Sequence, residues 1–278
     1  MKIGAHVSIA GGLTKAIKQA QACGAECFQI FLRSPRGGRP PALTVQQIKE
    51  FKIVLKASGL GPVFVHASYL VNLASEKKSV VAYSLFSVRD DLERASVLGL
   101  EAVVVHTGSA VGITHEAGLK NVVKNVQKIL KGYKGSAKLL LEISAGSGDC
   151  VGRTLEELAG FLKQIKNKKV GVCLDTAHSF ASGYDLAYEV GVKKYFSSVE
   201  KLIGWDKVGL IHANDSKVAL GKLVDRHEHL GLGEIGEPGL KIFFARQELK
   251  NKCVVIETPK EKDDSDIKNL KKLRAWRK

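Results

Sequence analysis

Eight short apolar runs recur along the chain, and their regular spacing constrains the fold more than any other feature. Each run is five to seven residues long. Apolar and β-branched residues follow one another in each run rather than alternating with polar ones, which is typical of strands buried on both faces of a parallel sheet. The runs are Lys2–His6, Cys27–Leu32, Val63–Ala67, Ala102–Thr107, Lys138–Ile143, Val170–Thr176, Val208–Asn214 and Cys253–Thr258.

Helix signals fill the intervals between these runs. Thr44 followed by Gln47 predicts a capping box that opens a helix ending near Ser58, and Thr154 followed by Glu157 predicts a second capping box. Mixed apolar and charged residues at helical spacing predict further helices within 76–98, 114–131, 184–203, 237–250 and 264–277.

Alternation of eight strands with helices over 278 residues is typical of an α/β fold of the (β/α)8 type, the TIM barrel. A doubly wound open sheet is the competing fold, but it usually places a glycine-rich turn directly after its first strand. Here Gly11 and Gly12 come several residues later. No linker rich in proline, serine or glycine divides the chain, so we expect residues 1–278 to form a single domain.

A histidine or an acidic residue lies near the end of each of the last six predicted strands. In a barrel these positions ring the carboxyl-terminal mouth, where active sites are built. One such histidine would usually be a core residue with satisfied hydrogen bonds, but six successive positions of this kind argue for a site. The six are His66, His106, Glu142, Asp175, His212 and Glu257, and three more candidates follow strands six and seven: His178, Asp225 and His227.

These nine residues include four carboxylates and five imidazoles. Burying four carboxylates together without cations would be very costly, and in a metal-free protein we expect their mutual repulsion to raise their pKa values. The imidazoles favour zinc over magnesium, which prefers oxygen ligands. Nine ligands suit three ions if one carboxylate bridges, and clustered ions are the usual means of phosphoester hydrolysis.

Charge and cysteine usage limit the partners and the compartment. The formal charge is +15, which favours a polyanionic partner such as nucleic acid. Neither a secretory signal nor an apolar run of the roughly 18–20 residues that span a bilayer is visible. The five cysteines are odd in number and several lie in apolar runs, so reduced thiols and a cytoplasmic location are expected.

Long segments throughout the chain resemble the endonuclease IV family of apurinic/apyrimidinic (AP) endonucleases. They are GAHVSIAGGL at 4–13, HASYLVNLAS at 66–75, VVHTGS at 104–109, LLLEISAGSG at 139–148, VGVCLDTAHSFASGYDL at 170–186, LIHANDSK at 210–217, VDRHEHLGLGEIG at 224–236 and VVIETP at 254–259. The resemblance implies a zinc-dependent barrel that cuts double-stranded DNA 5′ to an abasic site, acting as a monomer in base excision repair. It implies 3′-hydroxyl and 5′-deoxyribose phosphate ends, and activity on 3′-blocked lesions.

The same resemblance implies a role for each candidate ligand. His66 and His106 hold one zinc, and Glu142 bridges this ion to a second. Asp175, His212 and Glu257 complete the second zinc, whereas His178, Asp225 and His227 hold the third. Glu142 would hold the attacking site in position, and Glu257 would orient the nucleophile or share in proton handling. His6, at the end of the first strand, is expected to support these ligands rather than to bind metal.

The implied DNA contacts are Arg36, Tyr69 and Leu70. Tyr69 and Leu70 match family residues that pack against the gap left by the displaced nucleotide. The loop 33–40 keeps Arg36 but lacks the aromatic residue that relatives often place beside it, so the loop would either insert into DNA differently or rely on Arg36 and Arg39 alone.

Two other functions remain open from the sequence. A xylose-isomerase-like sugar isomerase or epimerase would also be a barrel with metals at strand ends, although carboxylates usually dominate its ligands. A non-catalytic module that recognises bent or gapped DNA is the other alternative. The motif GLGEIG at 231–236 matches a dinucleotide-binding pattern, but it follows charged residues instead of a strand, so no dinucleotide site is expected.

Overall fold

The computed structural model describes residues 1–260 and 264–277, and within them eight parallel strands close into a barrel. Two further strands of two residues each pair antiparallel above it. In chain order the strands are β1 (Lys2–His6), β2 (Cys27–Phe31), β3 (Val63–His66), β4 (Ala102–His106), β5 (Lys138–Glu142), β6 (Val170–Asp175), β7 (Val208–His212), β8 (Asp215–Ser216), β9 (His227–Glu228) and β10 (Cys253–Ile256). The barrel order is β1-β10-β7-β6-β5-β4-β3-β2. The eight predicted strands and the TIM-barrel fold are therefore confirmed.

Helices surround the barrel, mostly where the sequence predicts them. They are α1 (Leu13–Ala22), α2 (Val45–Ser58), α3 (Lys78–Leu98), α4 (His115–Leu130), α5 (Leu155–Ile165), α6 (Thr176–Ala181), α7 (Glu189–Leu202), α8 (Gly236–Phe244) and α9 (Ser265–Trp276). The capping box at Thr44 and Gln47 is confirmed. At Thr154 half of the prediction is wrong: its side chain caps α5, but Glu157 accepts from the main-chain N–H groups of Gly152 and Arg153 instead.

Two apolar layers hold these elements in place. One packs the outer faces of the strands against the helices. The other fills the barrel with side chains that alternate along the strands, so the barrel is a packed core rather than a pore. These inner residues are Cys27, Phe64, Ala102, Val104, Leu140, Cys173, Leu210 and Val255, all buried.

The next inward-facing positions, two residues further along the strands, are polar. Phe64 is followed by His66, Leu140 by Glu142, and Val255 by Glu257. Side chains alternate with a period of two along a strand. The polar residues two positions after the apolar inner residues therefore point into the carboxyl-terminal mouth. In the part of the chain that the structure describes, no helix is both long and apolar enough to cross a membrane.

Candidate metal centre

The mouth of the barrel opens into a cavity of about 420 Å³. Its walls carry imidazoles and carboxylates, together with an aromatic edge. The lining residues are His6, Phe31, His66, Tyr69, His106, His178, Asp225, His227, Glu257 and Lys260. The remaining predicted ligands Glu142, Asp175 and His212 are completely buried beneath it. Barrel closure thus brings all nine predicted residues to one place.

A first cluster joins the ends of three adjacent strands. His66 ends β3, His106 ends β4 and Glu142 ends β5. The Nε2 atoms of His66 and His106 lie 3.3 and 3.5 Å from Glu142 Oε2. One ligand atom from each of the three residues can be chosen so that all lie within 4.8 Å of one another, close enough to share an ion.

A second cluster uses the other oxygen of the same carboxylate. His212 Nδ1 lies 2.8 Å from Glu142 Oε1, 3.3 Å from Glu257 Oε2 and 3.9 Å from Asp175 Oδ2. These four residues again offer one atom each within 4.8 Å. Glu142 therefore faces both clusters, one with each oxygen, as a bridging carboxylate would.

A third cluster lies at the edge of the mouth. Asp225 Oδ1 is 3.3 Å from His178 Nε2 and 3.4 Å from His227 Nε2. Asp175, His178 and His227 also form a group within 4.8 Å. Asp175 caps the short helix α6 by accepting the main-chain N–H of His178, so its carboxylate stands between the second and third clusters.

The donor chemistry fits zinc. Three of the imidazoles donate Nδ1–H to a main-chain carbonyl, which leaves the Nε2 lone pair facing the cluster, the usual arrangement of metal-binding histidines. The pairs are His66 with Ala67 at 2.8 Å, His178 with Ile143 at 2.9 Å, and His227 with Glu257 at 3.2 Å. Ligands about 2.0–2.1 Å from a tetrahedral zinc lie about 3.3 Å apart, and the separation of His178 Nε2 from His227 Nε2 is 3.2 Å.

The expectation of a raised pKa is wrong for Glu142, Asp225 and Glu257. Burial opposes ionisation of Glu142, but the imidazoles of His106 and His212 hold its pKa well below the usual range. Burial also opposes ionisation of Asp225, where His178 and His227 lower the pKa. Burial disfavours the charged form of His178, yet Asp175 and Asp225 raise its pKa well above the usual value. Imidazoles lie between the carboxylates. When metal is absent, protons on these imidazoles balance the negative charge of the carboxylates.

Two buried amides support the ligands and were missed in the sequence. Asn214 donates from Nδ2 to Asp175 Oδ2 at 2.7 Å, and its Oδ1 accepts the main-chain N–H of Glu257 at 2.9 Å. Gln29 on β2 contacts both His212 and Glu257. For Gln29 the available signal was a polar residue inside an otherwise apolar strand, whereas Asn214 lies two residues beyond the end of β7. His6, which the sequence places in a supporting role, lies 3.2 Å from Glu257 Oε1 through its Nδ1.

Tyr69 lines the cavity, and the other two predicted DNA-contact residues, Arg36 and Leu70, lie on the same two joined loops. Tyr69 is 67% exposed, and its ring meets those of Phe31 and His66 edge-on at 5.4 and 6.1 Å. Its main-chain N–H donates to Pro35 O at 3.0 Å, which ties it to the 33–40 loop. Leu70 is 54% exposed. Leu70 also packs against Gly37, where a Cβ would approach Cδ1 of Leu70 to 2.6 Å.

The arginines of the 33–40 loop have different environments. Arg36 is exposed. Arg39 is also exposed and stacks over the ring of Phe86 at 4.7 Å. Arg33 is buried and forms ion pairs with Asp90 at 2.7 Å and Asp91 at 3.0 Å on α3. The loop is thereby fastened to α3 at its base.

The GLGEIG motif at 231–236 has a structural explanation. The buried carboxylate of Asp215 accepts main-chain N–H groups from Gly231, Gly233 and Ile235 at 2.9–3.0 Å. The nest that a dinucleotide phosphate would need is already filled by this side chain. The prediction that no dinucleotide binds there is consistent with this packing.

The chain is similar over most of its length to known proteins. The xylose isomerase-like TIM barrel family matches residues 17–278. The chain is 41% identical to endonuclease 4 of Thermus thermophilus over 278 residues, covering 99% of this chain and 98% of the relative. It is 37% identical to the probable endonuclease 4 of Halothermothrix orenii over 276 residues, covering 99% of each.

Solved structures give the same result. The crystal structure of an endonuclease IV from Thermus thermophilus superposes with a TM-score of 0.89 at 40% identity and covers 99% of this chain and 98% of that one. A D-tagatose 3-epimerase-like protein superposes with a TM-score of 0.72 at 24% identity, covering 99% and 97%, which shows a shared fold alone. Sequence identity over the whole length separates the two groups, and the chain belongs to the endonuclease IV family of AP endonucleases.

Proposed function

We propose that this chain is a three-zinc endonuclease that hydrolyses the phosphodiester 5′ to an abasic site in double-stranded DNA. The products would be a 3′-hydroxyl and a 5′-deoxyribose phosphate, and the same site would remove blocking groups from 3′ ends. The observation that carries the proposal is the row of three clusters, in which Glu142 and Asp175 each face two neighbours. We further propose that residues 1–278 act as one catalytic domain, as a monomer, in the cytoplasm, where reduced thiols persist; all five cysteines are free.

Each predicted ligand has a place in this scheme. His66 and His106 would hold the first ion, with Glu142 bridging to the second, which Asp175, His212 and Glu257 complete. His178, Asp225 and His227 would hold the third. The distances of 2.8–3.5 Å between paired atoms in these sets support the assignment. Zinc, when bound, supplies Lewis acidity that activates water near neutral pH and stabilises charge on phosphoryl oxygens.

The chain's own groups orient the reaction. Glu142 and Glu257 would be the catalytic carboxylates. Glu142 holds its two oxygens toward different clusters, which sets the position of the attacking site. Glu257 reaches the cavity wall and lies next to His6 and His212, where it can orient the nucleophile and accept a proton. His6 has its pKa lowered by burial, so a neutral imidazole stands beside this carboxylate.

DNA recognition would use the two joined loops. The exposed guanidinium of Arg36 can reach into a groove, while Tyr69 and Leu70 present an apolar edge next to the cavity. Proteins that kink DNA insert such wedges between base steps. Because the cavity lies deep in the mouth, a phosphate of straight duplex would not reach it, so the DNA must bend and expose the abasic nucleotide.

The sugar isomerase alternative receives less support. Five imidazoles among nine ligands are more nitrogen than such a site usually holds, and the epimerase-like structures share the fold at 16–24% identity. A non-catalytic DNA-binding module would have no need of a complete ligand set.

One cleavage assay tests the proposal. A labelled duplex with a single tetrahydrofuran abasic analogue is incubated with the zinc-loaded protein, and the products are separated on a denaturing gel. We expect one cut, on the 5′ side of the analogue, and none in the matched undamaged duplex. About three zinc ions per chain should be found by elemental analysis. An uncut analogue, or a protein with one or two manganese or magnesium ions and no zinc, would reject this function.

A further inference from the structure

Gln29 is a buried amide in the middle of the ligand set. It lies on β2 opposite His6 of β1 in the sheet register and is completely buried. A polar side chain in such a place must be hydrogen-bonded, since an unpaired buried amide destabilises the fold. Its partners are His212, at 3.0 Å from Oε1 to Nε2, and Glu257, at 2.5 Å from Nε2 to Oε1.

The amide oxygen determines which ring nitrogen of His212 carries a proton. A carbonyl oxygen only accepts, so the Nε2 of His212 must carry the proton. An imidazole that binds zinc is neutral and has one N–H, so with an ion in the second cluster the Nδ1 lone pair would be left for that ion. That Nδ1 faces Glu142 at 2.8 Å and Glu257 at 3.3 Å, at the centre of the second cluster.

The amide nitrogen determines the orientation of Glu257. It donates one N–H to Glu257 Oε1, and its second N–H faces His6 Nδ1 at 2.9 Å. Oε2 of Glu257 is left to face His212. A flipped amide would set its oxygen against the carboxylate at 2.5 Å, two acceptors in contact, so the neighbours fix the amide in one orientation.

We propose that Gln29 is a positioning residue for the second metal cluster. It holds His212 as the Nε2-protonated tautomer and holds Glu257 with Oε2 toward the cluster, and it thereby sets the affinity for one of the three ions. The inference rests on the proposed zinc content. His66, His178 and His227 use main-chain carbonyls for the same purpose. His212 uses a side chain, which a substitution can remove.

The test compares zinc binding without DNA. Gln29→Met keeps the length of the side chain but removes both hydrogen bonds, and Gln29→Glu keeps an acceptor for His212 but has no donor for Glu257. Loss of partners of this kind typically lowers metal affinity about 10–100-fold. We expect competition with a chromophoric chelator to show that size of loss for one ion in Gln29→Met and at least as large a loss in Gln29→Glu, because the new carboxylate oxygen would face Glu257 Oε1, while the other two ions stay within about twofold of wild type.

Controls separate positioning from packing. Gln127→Met makes the same chemical change on the outer helix α4, and it should leave zinc affinity unchanged. In the metal-free state, Gln29→Met should melt close to wild type. In zinc-loaded protein labelled at histidine, the Nε2 proton of His212 should exchange with solvent faster in Gln29→Met than in wild type, because its acceptor is gone.

Two results would overturn the inference. One is equal affinity of wild type and Gln29→Met for every ion. The other is equal weakening of all three ions together with a lower metal-free melting temperature, which is the sign of a packing defect. If wild type itself binds no zinc, the proposed function fails, and that outcome is visible before any variant is compared.

Discussion

Glu142 is the side chain that contacts the most imidazoles in the candidate metal centre. It is completely buried at the end of β5. His66, His106, His178 and His212 lie within 2.8–3.5 Å of its two oxygens. A neutral amide in its place would have one oxygen to accept with and would turn its NH2 group toward imidazole lone pairs. The role of this residue can therefore be tested by a change of charge with almost no change of shape.

We expect Glu142→Gln to fold but to lose more than about 100-fold in cleavage rate, since even residues that only support ligands contribute 10–100-fold. Zinc content should fall by at least one ion per chain, as measured by elemental analysis. Glu93→Gln, an exposed change on α3, serves as the control. Turnover like that of wild type with full zinc content would refute the bridging role.

Tyr69 and Arg36 differ from the ligands because they point outward. We expect Tyr69→Ala to weaken binding of abasic duplex by about 1–3 kcal/mol, the usual value of one aromatic–base contact. The loss should be smaller on a gapped duplex, where no stacking must be broken. Tyr188→Ala is the matched control, because Tyr188 is 71% exposed but lies at the start of α7, outside the cavity lining. Equal losses on paired and gapped DNA would exclude the wedge role.

Arg36→Ala should raise the apparent KM on abasic duplex with kcat and zinc content unchanged. The physical reason is that an exposed guanidinium contributes to holding the DNA and has no contact with the clusters. Steady-state kinetics on the same two substrates measure this. An unchanged KM would mean that Arg36 is merely a solvated loop residue.

At the scale of elements, the joint between the 33–40 loop and α3 is the feature that the sequence did not reveal. Arg33 is buried between Asp90 and Asp91, and its Nη2 atom also donates to Ser87 O at 3.1 Å. Burial raises the pKa of Asp91 to about 6, although Arg33 lies 3.0 Å away. The pair contributes conformational specificity to the loop, since its geometry holds the loop base in one place.

Loss of the ion pair between Arg33 and Asp91 should destabilise the fold. We expect Arg33→Met to lower the free energy of unfolding by about 3–5 kcal/mol, because Asp91 is left buried without its partner. The double variant Arg33→Met/Asp91→Leu should recover most of that loss, since apolar pairs often replace buried ion pairs at little cost. Urea denaturation of both variants measures the difference. A single variant as stable as wild type would show that the loop does not depend on this joint.

At the scale of the whole molecule, binding of the proposed zinc ions should be linked to folding. A ligand present at about 1,000 times its Kd stabilises the folded state by about 4 kcal/mol. Removal of the ions with a chelator should therefore lower the melting temperature clearly. An unchanged melting temperature would mean that the nine residues do not hold metal together.

The fall in melting temperature on removal of the ions should depend on pH. The pKa of His178 in the folded protein is raised well above its usual 6.5 by Asp175 and Asp225, against the effect of burial. Its pairing thus stabilises the metal-free fold fully below about pH 6.5, and this contribution is lost as pH rises through the raised pKa. Calorimetry of stripped protein should show a melting temperature that falls from about pH 6.5 into the alkaline range, while that of zinc-loaded protein changes less.

The net charge of +15 should make DNA binding strongly dependent on salt. For contacts to about five phosphates, affinity should fall roughly 500-fold between about 50 and 200 mM salt, since the slope is close to −0.9 per phosphate. Titration of a labelled abasic duplex at four salt concentrations measures the slope. A flat response would indicate a small neutral substrate instead of DNA.

The sequence by itself determined the barrel and the composition of its mouth. Strand order follows from the βα rhythm, because parallel strands joined by crossover helices pair with their neighbours and close. A residue near the end of each strand then reaches the mouth whatever the details of packing. For that reason His66, Glu142 and Glu257 could be placed together from spacing alone.

Only the tertiary structure decided how these residues are shared. Register and strand tilt set which oxygen of Glu142 meets which imidazole, and they bring Gln29 beneath His212. The low pKa values of Glu142 and Asp225 arise because imidazoles separate the carboxylates in space, a relation that no spacing along the chain records. The ordering of charges is a property of the closed barrel, since the distances of 2.8–3.5 Å from Glu142 to imidazoles 36 to 76 positions away exist only once it has formed.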